Sequence, residues 1–226
     1  MDRMSPHSPR VFCLSMPRNG TASFGRVCRD FGRRTAIATA RRDHRWTGAW
    51  HAGDFESIFL SPEFANVDVF AGSPWWLPEF YKVLYHRFPG ARFVLLTREP
   101  EAWFDSMLAC SGGVAAADNR LHAKAYRREL DFLCQLHAGD LDDRRDDLGR
   151  RLSLQGRAAH YMEAYRLHNS EVMEFFGRHA PDALHWGELE DARKWQRLGR
   201  FLGMDVPAGY DCHLNATRRE AVALAG

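Results

Sequence analysis

Val11-Phe-Cys-Leu-Ser-Met-Pro-Arg-Asn-Gly-Thr-Ala-Ser-Phe-Gly-Arg26 passes from an apolar run, through a Gly-bearing loop, into a helix-like pattern. Val11 to Leu14 reads as a short buried strand, Pro17 to Gly20 as a turn and Ala22 to Phe31 as a helix. A strand, a loop and a helix in that order build an anion site. The N–H groups at a helix start have no intrahelical acceptor, and the helix dipole adds partial positive charge there. Arg18, Thr21 and Ser23 offer further donors.

Outward from this unit the pattern alternates. Arg34 to Ala40 reads as a second strand and Val67 to Phe70 as a third, which ends in the turn formers Ala-Gly-Ser-Pro-Trp-Trp. Between them, Arg41 to Gly53 reads as a polar surface loop bearing His44, Trp46, Trp50 and His51, and Phe55 to Leu60 as a helical turn or two. Leu77, Phe80, Tyr81, Leu84 and Phe88 recur at helical spacing until Pro89-Gly90. Arg92 to Thr97 is a near-continuous apolar run bounded by turn residues, as a central parallel strand should be. Pro100 opens a helix that buries Trp103, Phe104, Met107 and Leu108. Cys110 to Asp118 reads as a Gly/Ala loop, Leu121 to His137 as a helix, and Asp140 to Arg151 as a solvated charge run. Gly156 to His179 is a long amphipathic helix carrying Tyr161, Tyr165, His168, Val172, Phe175 and Phe176. Ala183 to Trp186 is a last strand and Ala192 to Leu202 a last helix.

Strands alternating with helices predict one three-layer α/β/α domain over residues 1–226, with a central, mostly parallel sheet and right-handed crossovers. Ligands of such sheets bind at the carboxyl ends of the strands. The loops after Leu14 and after Thr97 both lie there.

Composition bounds the function. At 226 residues, 45% apolar and 27% charged, the chain is an ordinary globular domain. A net charge of +2 gives no case for a nucleic-acid partner. The five cysteines are widely spaced with no Cys-x-x-Cys pair, which predicts reduced thiols and no structural metal. No stretch approaches the about 20 apolar residues of a membrane span, and Met1 to Arg10 has no apolar leader core. The expectation is a cytoplasmic protein with no membrane partner; the pattern gives no oligomeric state.

A phosphate loop of nucleotide-hydrolysing enzymes reads Gly-x-x-x-x-Gly-Lys-Ser/Thr. Gly20 and Gly25 have that separation, but Arg26 and Val27 follow, so the phosphate lysine and the magnesium hydroxyl are both missing. In this loop the basic residue precedes the glycine instead.

Pro17-Arg18-Asn19-Gly20-Thr21-Ala22-Ser23 resembles the Pro-Lys-x-Gly-Thr-Thr/Ser loop of sulfotransferases that use 3′-phosphoadenosine 5′-phosphosulfate, a loop that embraces the donor's 5′-phosphosulfate. It departs from that pattern at Arg18 and Ala22. Arg98-Glu-Pro-Glu-Ala-Trp-Phe-Asp-Ser106 resembles the same family's Arg-Asp/Asn-Pro-x-x-x-x-x-Ser element, which holds the donor's 3′-phosphate. An arginine at a strand end and a serine on the second turn of the next helix can converge on one dianion. Phe80 to Pro100 is similar to the helix–strand run before that site. Tyr165 to Val172, Trp195 to Pro207 and His213-Leu-Asn215 look like C-terminal segments of a bacterial and fungal branch.

The resemblance implies a P-loop-like sulfotransferase fold and transfer of a sulfuryl group from that donor to a hydroxyl or amine of a small-molecule acceptor, without a metal. It implies a donor site of Arg18, Asn19, Gly20, Thr21, Ala22, Ser23, Arg98 and Ser106. Arg18 is assigned electrostatic work on the leaving group, because arginine keeps its charge and cannot shuttle a proton. The general base is open. The resembling branch has an Asp-x-Pro element where this chain has Gly72-Ser73-Pro74, and Asp68, Glu79, His51 and His86 are the substitutes in range of the sequence argument. Trp75 and Trp76 are either acceptor walls or core, and His168 is either a pocket residue or a buried core histidine. Two other readings compete: a nucleotide-binding protein of this fold with impaired catalysis, and a small-molecule kinase with a degenerate phosphate loop.

Overall fold

A computed structural model describes residues 9–36, 40–110, 120–129 and 154–214. Five strands, β1 (Val11–Cys13), β2 (Thr35–Ala36), β3 (Val69–Phe70), β4 (Arg92–Thr97) and β5 (Leu184–Glu188), form one sheet in the order β2-β3-β1-β4-β5. Every pairing is parallel, with Val11 opposite both Val69 and Arg92 and Thr97 opposite Glu188. The chain lays β2 and β3 on one side of β1 and then returns to lay β4 and β5 on the other. The strand order therefore reverses at β1, and the crevice at the carboxyl ends of β1 and β4 is the place where such a sheet binds ligands.

The period-2 pattern of the central strands sorts their side chains onto two buried faces. Val11, Cys13, Val94 and Leu96 pack beneath α1 (Thr21–Asp30) and a C-terminal helix that buries Trp195, Leu198 and Leu202. Phe12, Leu14, Phe93 and Leu95 face the other layer. That layer contains α2 (Ala40–Ala52), α3 (Phe55–Phe59), α4 (Pro62–Ala65), α5 (Phe80–Arg87), α6 (Pro100–Cys110), α7 (Arg120–Ala125) and the long α8 (Ala158–His179). The C-terminal helix on the first face is α9 (Lys194–Leu202).

The strands, most helices and the three-layer architecture follow the sequence reading, and two segments correct it. Arg41 to Gly53 is not a polar surface loop: α2 occupies it, with Trp46 and Trp50 buried in the core. The indole of Trp46 meets that of Trp75 edge-on at 5.3 Å. Trp75 and Trp76 are core too, each 1% exposed, with Trp75 against Phe12, Phe70 and Phe80 and the Trp76 N–H donated to Ser73 Oγ. The short α4, capped by Ser61 with Pro62 in its first turn, had no counterpart in the periodicity reading. The second strand is described only at Thr35–Ala36. The helix expected over Leu121 to His137 is broken after α7 ends at Ala125, where Arg127 takes φ +58°, and Cys110, expected to open the loop Cys110 to Asp118, ends α6. The remainder of both segments and the charge run Asp140 to Arg151 lie outside the described residues. Among the described residues, no helix is long and apolar enough to cross a membrane, and no three His, Cys, Asp or Glu residues group as a metal site.

Candidate active site

The loop after β1 makes its turn in left-handed backbone. Arg18 has φ +72° and Gly20 φ +70°, a region that costs a non-glycine residue conformational energy. A Cβ at Gly20 would also lie 2.6 Å from Leu189 Cδ1, so the leucine side chain would have to shift to admit one. α1 begins at once behind it. The Phe24 N–H is donated to the Gly20 carbonyl, so the N–H groups of Thr21, Ala22 and Ser23 precede the first intrahelical bond. No acidic side chain occupies the first turn of α1 and no side chain caps it, which leaves the positive end of the dipole uncompensated.

The second loop meets the first. Arg18 Nε donates to Ser106 Oγ at 3.0 Å, so residues 88 apart in sequence, on neighbouring strand–loop–helix units, share one hydrogen bond. Ser106 is 9% exposed on α6. Arg98, at the carboxyl end of β4, lies beside a cavity of about 560 Å³ between β5 and α8, lined among others by Tyr165, Asn169, Met173, Trp186 and Glu188. Arg98 Nε stands 3.2 Å from Glu190 Oε1.

Three aromatic side chains clamp this arrangement from below. Tyr165 Oη accepts the Arg98 N–H at 2.9 Å and donates toward Asn19 Oδ1 at 3.1 Å, tying the two loops through one hydroxyl. Burial pushes that phenol up from its ordinary range, offset in part by the Arg98 and Asn19 hydrogen bonds, so it works as a neutral donor and acceptor. Trp103 stacks on Tyr165 at 4.4 Å and donates its indole N–H to the Pro17 carbonyl at 2.9 Å. His168 Nε2 lies 2.8 Å from the Leu14 carbonyl, which can only accept, so the hydrogen is on Nε2. The sequence placed these residues on buried helix faces without giving them this task. Their spacing carried a burial signal but no information about which carbonyls they would reach.

Not every expected ligand presents its side chain. Asn19 is fully buried and spends its amide on the Met16 carbonyl and Tyr165. Ser23 is 3% exposed, and its Oγ accepts the Leu214 N–H at 2.9 Å, which ties α1 to the C-terminal segment. Both are structural through their side chains. Thr21 is half-buried and Ala22 exposed at the helix start.

The base candidates fare differently. Asp68 precedes β3 and so sits at the amino edge of the sheet, opposite the loops. Both its oxygens are held by Arg34, at 2.9 and 2.7 Å. Burial pushes its carboxyl up, but the Arg34 pair outweighs that and holds it below the usual carboxylate range. Glu79 is an exposed residue at the start of α5 paired with Lys82, and His86 is exposed in the last turn of that helix. The His51 ring lies 5.6 Å from the ring of Trp50 on α2.

The His168 contact has a pH consequence. Burial holds its imidazole below the usual histidine range, partly offset by the Leu14 hydrogen bond. The unfolded chain takes up this proton near pH 6.5 and the folded chain only at lower pH, so stability falls as pH drops through that window. The contribution approaches ~1.4 kcal/mol per pH unit for a full proton. His185 shifts in the same direction, through burial and then Arg197, so the difference between two proteins is the useful quantity. Denaturant titrations are expected to show a shallower loss of stability below about pH 6.5 in His168→Gln than in the wild type. Parallel slopes would remove His168 from the acid response.

Residues 10–219 match the family model described as a sulfotransferase domain. The chain belongs to that family. Among solved structures, a sulfotransferase from Alicyclobacillus acidocaldarius aligns with 92% of this sulfotransferase-family chain and 85% of its own length, at 12% identity and a TM-score of 0.50, a likeness of fold. No curated protein matches the chain significantly in sequence. Membership of the sulfotransferase family makes the paired loops at β1 and β4 the place to look for sulfuryl-transfer chemistry.

Proposed function

We propose that this chain moves a sulfuryl group from 3′-phosphoadenosine 5′-phosphosulfate to a hydroxyl or amine of a small-molecule acceptor. The observation that carries the reading is the 3.0 Å hydrogen bond from Arg18 to Ser106, which brings the loops after β1 and β4 into one site. A donor with phosphate at both ends of one adenosine needs two anion sites a few ångströms apart. The residues present suit it: an uncapped helix start without acids at one end, and at the other a buried Arg98 Nε that makes no hydrogen bond.

When bound, the donor supplies the sulfuryl group and the bisphosphate that leaves. Arg18 and the N–H groups of Thr21 and Ala22 would hold the 5′ end, and Arg98 with Ser106 the 3′-phosphate. Arg18 contributes a fixed positive charge in left-handed backbone, braced by Ser106, so little reorganisation is needed as negative charge grows on the leaving oxygen. The neutral Tyr165 fixes the distance between the two ends by bonding both Asn19 and the Arg98 backbone. Asp68, held by Arg34 at the opposite edge of the sheet, is not placed to serve as the acceptor's base.

Calorimetry with adenosine 3′,5′-bisphosphate, followed by bisphosphate release from the donor across a panel of acceptors, tests this reading. Absence of both binding and release would sink it. Arg98→Ala is expected to weaken bisphosphate binding by ~1.5–3 kcal/mol, the scale of a charge-assisted contact. A change within experimental error would remove Arg98 from the site. A second reading, nucleotide binding without turnover, is favoured by Gly72, where the resembling branch carries aspartate. Tight binding with no release for any acceptor would select it.

A further inference from the structure

Arg98 does not wait for a ligand alone. Its Nε is buried and makes no hydrogen bond, although Glu190 Oε1 stands 3.2 Å away: the carboxylate lies near the cation but off its N–H direction. The two side chains differ in freedom, Arg98 being 23% exposed and Glu190 55%. The backbone beneath Glu190 is anchored, since the Leu189 N–H is donated to the Thr97 carbonyl at 2.7 Å and the Leu189 side chain lies against Gly20. A half-exposed carboxylate on a fixed backbone can turn into solvent without moving the strand. The neighbouring cation on the cavity wall, Arg166, already has Glu101 at 3.5 Å and Glu163 at 3.7 Å. Glu190 is therefore placed to act on Arg98 in particular.

We propose that Glu190 competes with a phosphate dianion for Arg98, lowering the chain's hold on donor and spent nucleotide alike. This rests on reading Arg98 as the ligand of the 3′-phosphate. A phosphomonoester brings a charge of about −1.5 to −2 against the single charge of a carboxylate, so it displaces Glu190 but must first break the resident ion pair. The 3′-phosphate is the same in donor and product. A grip on it binds both equally and gains nothing for the chemical step, while retarding release. A competing carboxylate keeps that grip weak.

Calorimetry on the full chain, with adenosine 3′,5′-bisphosphate and adenosine 5′-phosphate as probes, separates the possibilities. Glu190→Gln is expected to bind the bisphosphate about two- to fivefold tighter than wild type, the range of a half-exposed ion pair. Adenosine 5′-phosphate, lacking the group that Arg98 would hold, is expected to bind both proteins equally. Glu163→Gln, which removes a carboxylate beside Arg166, is expected to leave bisphosphate affinity unchanged. Equal or weaker bisphosphate binding by Glu190→Gln overturns the proposal. So does a similar gain in Glu163→Gln or for the 5′-phosphate, since either would report a general field and not a local competitor. Failure of wild type and Glu190→Gln alike to bind the bisphosphate would instead overturn the donor reading itself.

Discussion

Arg18→Ala is expected to lower the turnover of sulfuryl transfer by about 10²- to 10³-fold, the loss typical of removing one preorganised donor from a developing negative charge. Binding of the spent bisphosphate should fall much less, because that ligand retains Arg98 and the N–H groups at the start of α1. The contrast follows from where Arg18 sits. It occupies left-handed backbone at φ +72°, which an arginine adopts at a cost, and its Nε is pinned to Ser106. A side chain held that way has paid for its orientation in folding rather than in the reaction. Arg18→Lys restores the charge and the residue usual in this loop of the resembling family, but as a single ammonium without the planar fork. It should recover much of the lost rate. Turnover of Arg18→Ala within threefold of wild type, in a protein that still binds the bisphosphate, would take Arg18 out of the chemistry.

How legible this site was depends on whether its signal is local. The strand–loop–helix order from Val11 onward and the Arg98 to Ser106 spacing are local, and both loops stand at the carboxyl ends of their strands as expected; that β1 and β4 are neighbours is visible only in the folded sheet. The helix over Arg41 to Ala52 was missed for a comparably plain reason: its apolar content is concentrated at Trp46, Ala49 and Trp50 on one side, and arginines and histidines dominate the rest. The spacing of four between the two tryptophans was the available clue. The side-chain partners of Asn19 and Ser23 were not legible, because a polar residue in a phosphate-type loop looks like a ligand until its partners are visible. Those partners, Tyr165 and Leu214, lie 146 and 191 residues away. Asp68 shows the same limit in reverse, since a carboxylate one residue before a strand points to the far edge of a parallel sheet, and Arg34 claims it there.

Trp103→Ala is expected to be the most destabilising single change near the site, at ~3–5 kcal/mol, the range for truncating a buried aromatic side chain to alanine. Trp103 is fully buried, stacks on Tyr165 at 4.4 Å and donates its N–H to the Pro17 carbonyl at 2.9 Å. Core volume alone would explain a large loss, so Trp103→Phe is the informative partner. Phenylalanine keeps an aromatic face toward Tyr165 but cannot donate, and losing one hydrogen bond costs ~1 kcal/mol. That smaller loss should fall on the site out of proportion to stability. Pro17 immediately precedes Arg18, and Tyr165, freed from one side of its stack, is the hydroxyl that spaces Asn19 from the Arg98 backbone. Denaturant unfolding is expected to show a modest deficit for Trp103→Phe, while turnover drops about tenfold or more because small misplacements of reacting groups are amplified in rate. A Trp103→Phe protein with full turnover would confine Trp103 to packing, and would shift the burden of shaping the loop to His168 and the left-handed turn at Arg18 and Gly20.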